Sequence, residues 1–249
     1  MSIPPALPSN PPFVTLSFFR YKGWQQLWGL AQMQLARRPV SASPGLRFFK
    51  LLGSGGGNGF SLRPNFSVYG LLAVWEDQAT ARQFIEHSAA FSRFRRHAVE
   101  TWTVYLRPAV AQGDWSGQNP FLPLSPMPPA GPLAVLTRAT IHTRHLLDFW
   151  RHVPGASAGL EDNPGLRFAA GVGELPVVQQ ATFSLWESQE AMRAYAYRSA
   201  AHRQAIKLTR ERGWYREELF AQFVPLATDG TWHGTDPLAG LELAETIRR

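Results

Sequence analysis

The chain contains one pattern twice, and this internal repeat is what most restricts its possible folds. The pentapeptide Pro-Gly-Leu-Arg-Phe occurs at Pro44–Phe48 and again at Pro164–Phe168. Each copy is followed by a strand-like run that ends in Trp-Glu, at Trp75 in the first half and Trp186 in the second. Matching residues in matching order indicate one supersecondary unit that is used twice, in a pair of similar halves.

The order of predicted elements is the same in both halves: β-α-β-β-α-β. Each half is expected to contain one long helix before its last strand, at Gln78–Glu100 and Ser188–Trp214. This order is typical of a ferredoxin-like unit, whose sheet has helices on one face and needs a partner on the other. We therefore predict an α+β protein in which two tandem ferredoxin-like repeats pack their sheets together as an intramolecular α/β barrel.

The domain boundaries follow from the repeat and from a proline-rich segment. We predict a first half at 13–118, a linker at 119–132 and a second half at 133–234. The linker contains Pro120, Pro123, Pro126 and further prolines, which favour an extended chain.

Composition excludes several kinds of chemistry. The chain has no Cys, so disulfides, thiolate zinc sites, iron–sulfur clusters, Cys nucleophiles and Cys-ligated haem are all excluded. The formal net charge is +7, but its basic residues are mostly single, and the tightest cluster is Arg93, Arg95 and Arg96. We expect no nucleic-acid partner, whereas an anionic membrane surface suits such a charge distribution.

The N-terminal segment Met1–Pro12 is proline-rich and lacks the basic and apolar regions of a signal peptide. No apolar run approaches the ~18 residues that a membrane-spanning helix needs. We expect a cytoplasmic protein with peripheral contact at the inner or intracytoplasmic membrane, and we assign no role to residues 1–12.

The glycine-rich run Gly53–Gly59 has neither the ending of a phosphate-binding loop nor a helix after it. It is most simply a hairpin connection, and it could border a ligand entrance. No Gly-x-Ser-x-Gly elbow between a strand and a helix supports hydrolase chemistry.

One position breaks the similarity of the two halves. The register of the repeat puts Phe91 of the first half opposite His202 of the second. His202 belongs to an apolar stripe with helical spacing: Met192, Tyr195, Ser199, His202 and Ile206. A histidine on such a stripe is either a core residue with a satisfied hydrogen bond or a ligand of haem iron, and the spacing leaves both readings open.

A competing metal site would use His142, His145 and Asp148, the residue types of a non-haem iron centre. The segment crosses from a strand end into a helix start, so an exposed first turn is the simpler interpretation.

Several motifs resemble the spheroidene monooxygenase family of acyclic carotenoid synthesis in purple bacteria. The similarity runs from about Phe13 to Trp232 and is carried by these segments: Leu30–Pro39, Pro44–Gly55, Gly59–Phe60, Arg63–Asn65, Trp102–Leu106, Trp115–Pro120 and Ala194–Tyr197 followed by His202. Met1–Pro12 lies outside this resemblance.

The resemblance implies a haem-dependent monooxygenase that converts C-2 of spheroidene-type carotenoids to a ketone by successive hydroxylations. It implies a non-covalent haem b with iron, dioxygen as co-substrate and reduced ferredoxin as electron donor. The proximal ligand carries over as His202, and its helical neighbours Ser199 and Ile206 would flank the haem plane. Arg138 is the candidate for an oxygen-facing donor on the distal side.

Two other functions remain open from the residues. The chain could be a haem or carotenoid carrier without turnover, or a haem enzyme of other chemistry, such as a peroxidase or a dehydratase. An absorption spectrum of the purified protein would separate these possibilities.

Overall fold

In a computed structural model, the chain folds as a closed eight-stranded antiparallel barrel with helices outside it. The structure describes residues 10–56, 64–152, 160, 163–198 and 200–243, without the side chains of 197, 198, 200–203, 205 and 206. The strands are β1 Phe13–Arg20, β2 Leu46–Gly55, β3 Pro64–Trp75, β4 Glu100–Gly113, β5 Leu133–Ile141, β6 Leu166–Leu175, β7 Gln179–Trp186 and β8 Tyr215–Gly230.

Within the described residues, the helices cover the outside of the barrel in two groups, four from the first half and three from the second. They are α1 Gln25–Leu35, α2 Arg37–Ser41, α3 Gln78–His87, α4 Ala89–His97, α5 Leu146–His152, α6 Gln189–Arg198 and α7 Ala200–Arg212. A short 3-10 turn, Thr143–His145, precedes α5. The described part of the chain contains no helix of the length and apolarity needed to cross a membrane.

The strands follow the order β1-β3-β2-β6-β7-β5-β8-β4 around the barrel, so each half contributes four neighbouring strands. The halves share their register. Trp75 pairs with Phe13 and Leu46, and Trp186 pairs with Leu133 and Leu166. The α+β barrel is thus confirmed, while the description of each half as a ferredoxin-like repeat stays a prediction.

Alternation along the strands divides the barrel wall into two faces. On β5, Ala134 and Leu136 belong to the large apolar cluster inside the barrel, whereas Leu133 and Val135 pack outside against α6. The interior is filled by aromatic and aliphatic side chains from both halves, among them Phe18, Trp102, Phe168 and Phe183. It is a packed core and not a channel.

The prediction of one long helix at Gln78–Glu100 is wrong, because the helix is interrupted at Ser88. Ser88 has extended backbone angles, and its hydroxyl accepts a hydrogen bond from the Phe91 N–H at 3.0 Å. Ser88 is therefore the N-cap of a second helix, α4. Serine is one of the preferred residues at an N-cap. In the second half two helices likewise replace the expected helix Ser188–Trp214, and Ser199 between them lies outside the described residues.

Residues 119–132 contain no helix or strand and are anchored to the barrel. Phe121 is fully buried with its ring centroid 4.9 Å from that of Phe223. The Ser125 N–H donates to the Pro108 carbonyl at 2.9 Å. The connection between the halves is therefore packed against the core.

Candidate functional site

The outer face of the first half is tightly filled. Phe19 on β1 contacts Phe91 and Phe94 of α4, with ring centroids 5.6 and 5.1 Å apart. On the neighbouring strands Leu51 and Leu71 pair with each other and are buried under the helices in the same cluster. Large apolar side chains thus occupy the whole space between this sheet and its helices.

The outer face of the second half has small or polar residues at the matching positions. The shared register places Ala139 where the first half has Phe19. In the same way it replaces the pair Leu51–Leu71 by Gly171–Thr182, and the pair Phe49–Ala73 by Ala169–Ser184. Thr182 and Ser184 are only partly buried. The second half therefore has smaller and more polar side chains than the first half on the face of the sheet that packs against α6.

Gln180 is a further polar residue on this outer face that the sequence did not single out. It pairs with Ala139 and takes the place that Tyr69 has in the first half. Its side chain is 8% exposed, which is unusual for a glutamine. A comparison of the two halves at the level of strand register would have identified it, whereas the motif comparison did not.

Helix α6 packs on this sheet through its aromatic side. The Tyr195 ring lies 5.4 Å from that of Trp186, and Met192 contacts the same cluster. Burial raises the pKa of Tyr195 above its ordinary value. This contact holds α6 against the sheet. It involves two residues of the predicted apolar stripe, Met192 and Tyr195.

The other stripe residues carry the predicted haem site. His202 and Ile206 belong to α7, but their side chains lie outside the described residues, and so does the whole of Ser199. Their roles as ligand and flanking residues therefore stay predictions.

Arg138 lies on the inner face of the barrel, since it alternates with the outward residues of β5. Its side chain is 2% exposed and forms an ion pair with Glu217 of β8. Its other terminal nitrogen is 3.7 Å from Glu174 of β6, and its guanidinium lies over the Trp115 ring at 5.6 Å. The sheet separates this side chain from α6, so we give Arg138 a structural role in place of the distal role that the sequence suggested.

Glu174 and Glu217 extend this ion pair into a polar network at one end of the barrel. Glu174 accepts hydrogen bonds from Lys50 Nζ and from the Trp115 indole, both at 2.6 Å. Glu217 accepts the Gly117 N–H at 2.8 Å. Burial raises the pKa of Glu217, but the N–H groups of residues 116 and 117 and the Arg138 guanidinium outweigh it, so the net pKa is lowered.

The competing site at His142, His145 and Asp148 does not assemble. Asp148 accepts hydrogen bonds from Arg212 at 2.5 Å and from the Trp214 indole at 2.7 Å. Over the described ranges, no group of three His, Asp or Glu side chains is placed to hold a metal ion. Asp148 instead ties α5 to the end of α7.

A groove crosses the seam where the two halves meet. Strand β2 pairs with β6 at Gly53–Gly173 and Ser54–Val172, and beside this crossing lies a cavity of about 190 Å³. It is mainly apolar and is lined by side chains of both halves, including Leu30, Met33, Phe66, Tyr69, Val172 and Gln180. The glycine-rich run begins at this groove, although its residues 57–59 lie outside the described part.

Gln180 connects the groove with the small-residue face of the second half. It lines the groove, and it stands beside Ala139 on the outer side of the sheet. Gln180 therefore lies at the boundary between the groove and the small-residue face.

The chain is similar to curated proteins and to solved structures. It is 41% identical over 231 residues to the spheroidene monooxygenase of Rhodobacter capsulatus, covering 92% of this chain and 96% of that protein. It is 42% identical over 209 residues to the one from Rubrivivax gelatinosus, covering 84% of this chain and 80% of that protein. No protein-family model matches it.

Among solved structures, a crystal structure of aldoxime dehydratase matches with a TM-score of 0.57. The alignment covers 93% of this chain and 84% of that one at 12% identity. At this level of identity the likeness concerns the fold, and it agrees with an α+β barrel.

Proposed function

Since the chain belongs to the spheroidene monooxygenase family, as its sequence motifs predicted, we propose that it is a haem-dependent carotenoid monooxygenase. Its substrate would be a spheroidene-type acyclic carotenoid, oxidised at C-2 to a ketone. Two hydroxylations at the same carbon give a geminal diol, which loses water. Each hydroxylation takes one dioxygen, two electrons and two protons and releases one water, with reduced ferredoxin as the electron donor.

The observation that carries the haem assignment is the difference between the two outer faces. Where the first half has Phe19, Leu51 and Leu71, the second has Ala139, Gly171 and Thr182. These replacements remove several large side chains on the face that α6 and α7 cover. A flat macrocycle would restore the lost apolar contacts, and removal of so much packing without a replacement would be costly.

The residues of α7 supply the chemistry for holding this group. His202 would ligate the iron of a haem b through a neutral imidazole, with Ser199 and Ile206 on either side. A histidine in a helix suits this role, because the hydrogen-bonded backbone restricts the position of the ring. When bound, the haem would supply dioxygen activation, which no side chain of this chain can provide.

The remaining residues would bind and orient the carotenoid. The apolar lining of the seam groove, with Leu30, Met33 and Phe66, would hold a polyene and exclude water. The side chain of Gln180, which is mostly buried and lines the groove, would donate a hydrogen bond near the reacting end of the substrate.

We also propose that the halves are tandem ferredoxin-like repeats. Support comes from the strand orders β4-β1-β3-β2 and β8-β5-β7-β6, which are equivalent under the repeat. Further support comes from equivalent turns. Ser116 and Gly117 have φ values of 59° and 77°, and His233 and Gly234 have 55° and 78°. Gly117 N–H donates to Glu217, and Gly234 N–H donates to Glu100, both at 2.8 Å.

The test is an absorption spectrum followed by an activity assay. The purified protein, supplied with haem, should show a Soret band, and with reduced ferredoxin and dioxygen it should convert spheroidene to its 2-keto product. A haem spectrum without oxygenation of any carotenoid would favour one of the other functions, namely a peroxidase, a dehydratase or a haem carrier. A carotenoid spectrum without haem would indicate a carotenoid carrier and would contradict the proposal.

A further inference from the structure

Helix α1 has an apolar outer surface that the barrel leaves uncovered. The exposed fractions are 72% for Trp24, just before the helix, 70% for Leu27, 45% for Leu30 and 65% for Leu35. Phe66 of β3, which lines the seam groove together with Leu30, is 49% exposed. We call these five residues the α1 surface. They are five of the nine large apolar side chains that are exposed in the described part of the chain, so exposed apolar groups concentrate here.

The opposite side of α1 is fixed on the barrel. Gly29 and Gln32 are buried, and a side chain at Gly29 would collide with Tyr21 and Tyr69. Trp28 stacks on His97, with the ring centroids 4.0 Å apart. The helix is therefore held in one orientation, and its outward apolar side chains are not available to this chain's own core.

The charged residues that flank α1 in the sequence all have one sign. Lys22 precedes the helix, Arg37 and Arg38 follow it, and all three are exposed. Between Lys22 and Arg38 the sequence contains no Asp or Glu. Glu174 lines the groove beside Leu30, but its carboxylate is paired with Lys50 at 2.6 Å. An exposed apolar strip with Trp and Leu, flanked by cations, matches the interfacial region of a bilayer that contains anionic lipids.

The seam groove opens beside this surface. Leu30 and Met33 of α1 and Phe66 of β3 form one wall of the cavity of about 190 Å³. A protein seated on a membrane through the α1 surface would hold the mouth of this groove against the lipid. An apolar molecule dissolved in the bilayer would then enter the groove without crossing water.

We propose that the α1 surface docks this protein on anionic lipid bilayers and places the mouth of the seam groove at the membrane. The lipid contact follows from the surface itself, whereas delivery of a carotenoid through the groove rests on the proposed function. Tryptophan and leucine side chains would enter the interfacial region, and Lys22, Arg37 and Arg38 would lie near lipid phosphates.

The experiment measures co-sedimentation of the full chain with vesicles of phosphatidylcholine that contain phosphatidylglycerol, free of carotenoid. The double variant Trp24→Ser/Leu27→Ser should bind at least about tenfold more weakly, because two interfacial side chains are lost. The triple variant Lys22→Gln/Arg37→Gln/Arg38→Gln should bind about a hundredfold more weakly. Pure phosphatidylcholine vesicles should bind the unmodified chain far less.

Matched controls are available on the same molecule. Leu147 is 76% exposed and lies on α5, so Leu147→Ser removes a similar apolar group elsewhere. Arg93, Arg95 and Arg96 are exposed on α4, so changing all three to Gln removes the same charge. Both controls should bind vesicles as the unmodified chain does, and thermal unfolding should show that all four variants fold.

Three results would overturn this proposal: no vesicle binding by the unmodified chain, equal losses in the controls, or variants that change only the sedimentation of lipid-free protein. The last would assign the surface to a second copy of the chain. Because the assay needs neither haem nor turnover, its failure is distinct from failure of the proposed function. In turn, the double variant should oxidise detergent-dispersed carotenoid at the normal rate.

Discussion

The rings of Phe19 and Phe91 lie 5.6 Å apart in an edge-to-face contact between β1 and α4. The second half has Ala139 at the position of Phe19 and His202 at the position of Phe91. Both of these equivalent positions therefore carry different residues in the second half, an alanine and a histidine in place of two phenylalanines. This paired difference supports the proposal that the second half binds the haem.

A large side chain at position 139 should prevent haem binding. In the variant Ala139→Phe, the new ring would occupy the volume that Phe19 occupies in the first half, so we expect haem content to fall at least about tenfold. Ala139 is 1% exposed, so circular dichroism should accompany the haem titration to show that the variant folds. The control Phe19→Leu, in the other half, should keep full haem content. Full haem content in folded Ala139→Phe would contradict the proposed site.

The interior ion pairs should matter for folding and not for haem. Arg138→Ala removes the buried guanidinium from the part-buried carboxylates of Glu174 and Glu217, which keep their other partners, and should lower the free energy of unfolding by about 1.5–3 kcal/mol. Chemical denaturation would measure this loss. Haem content per folded protein should stay unchanged, because the side chain lies inside the barrel. A shifted Soret band in a stable Arg138→Lys variant would instead indicate that Arg138 belongs to the haem site.

The repeat itself was readable from the sequence because it depends on local patterns. The Trp-Glu runs, the Pro-Gly-Leu-Arg-Phe segments and the strand alternation all reappear in the barrel at equivalent places. The helix break at Ser88 was not predicted, because the surrounding residues keep a helical pattern. The capping role of this serine is visible only from its hydrogen bond with the Phe91 N–H.

The interior polar network could not be predicted from the sequence. Lys50, Glu174 and Glu217 lie far apart in the chain, on strands that become neighbours across the interior only when the barrel closes. Their approach depends on which face of each strand points inward, and a shift of one residue would reverse it. The small residues at Ala139 and Gly171 also seemed unremarkable until the register matched them with Phe19 and Leu51.

Stability should depend on pH through Glu100 and Glu217. Burial raises the pKa of Glu100, but the N–H groups of residues 233 and 234 and the nearby Arg20 outweigh it, so the net pKa is lowered, as it is for Glu217. A carboxylate with a lowered pKa stabilises the fold at neutral pH, and this contribution disappears as the pH falls through its folded-state pKa. The melting temperature should therefore fall when the pH is lowered below the ordinary pKa of a glutamate.

The variant Glu100→Gln tests this dependence, because it removes one of the two titrating groups. Its melting temperature should be lower than that of the unmodified chain at pH 7, and the difference should shrink as the pH is lowered. A difference that stays constant down to pH 3 would contradict a role for the charge of Glu100.

We propose that His202 holds a haem b on the outer face of the second half, and a haem titration followed at the Soret band tests this most directly. His202→Ala should lose the band or shift it, whereas His142→Ala and His145→Ala should match the unmodified chain. Circular dichroism would verify that all variants fold. Full haem content and an unchanged Soret band in His202→Ala would contradict the account.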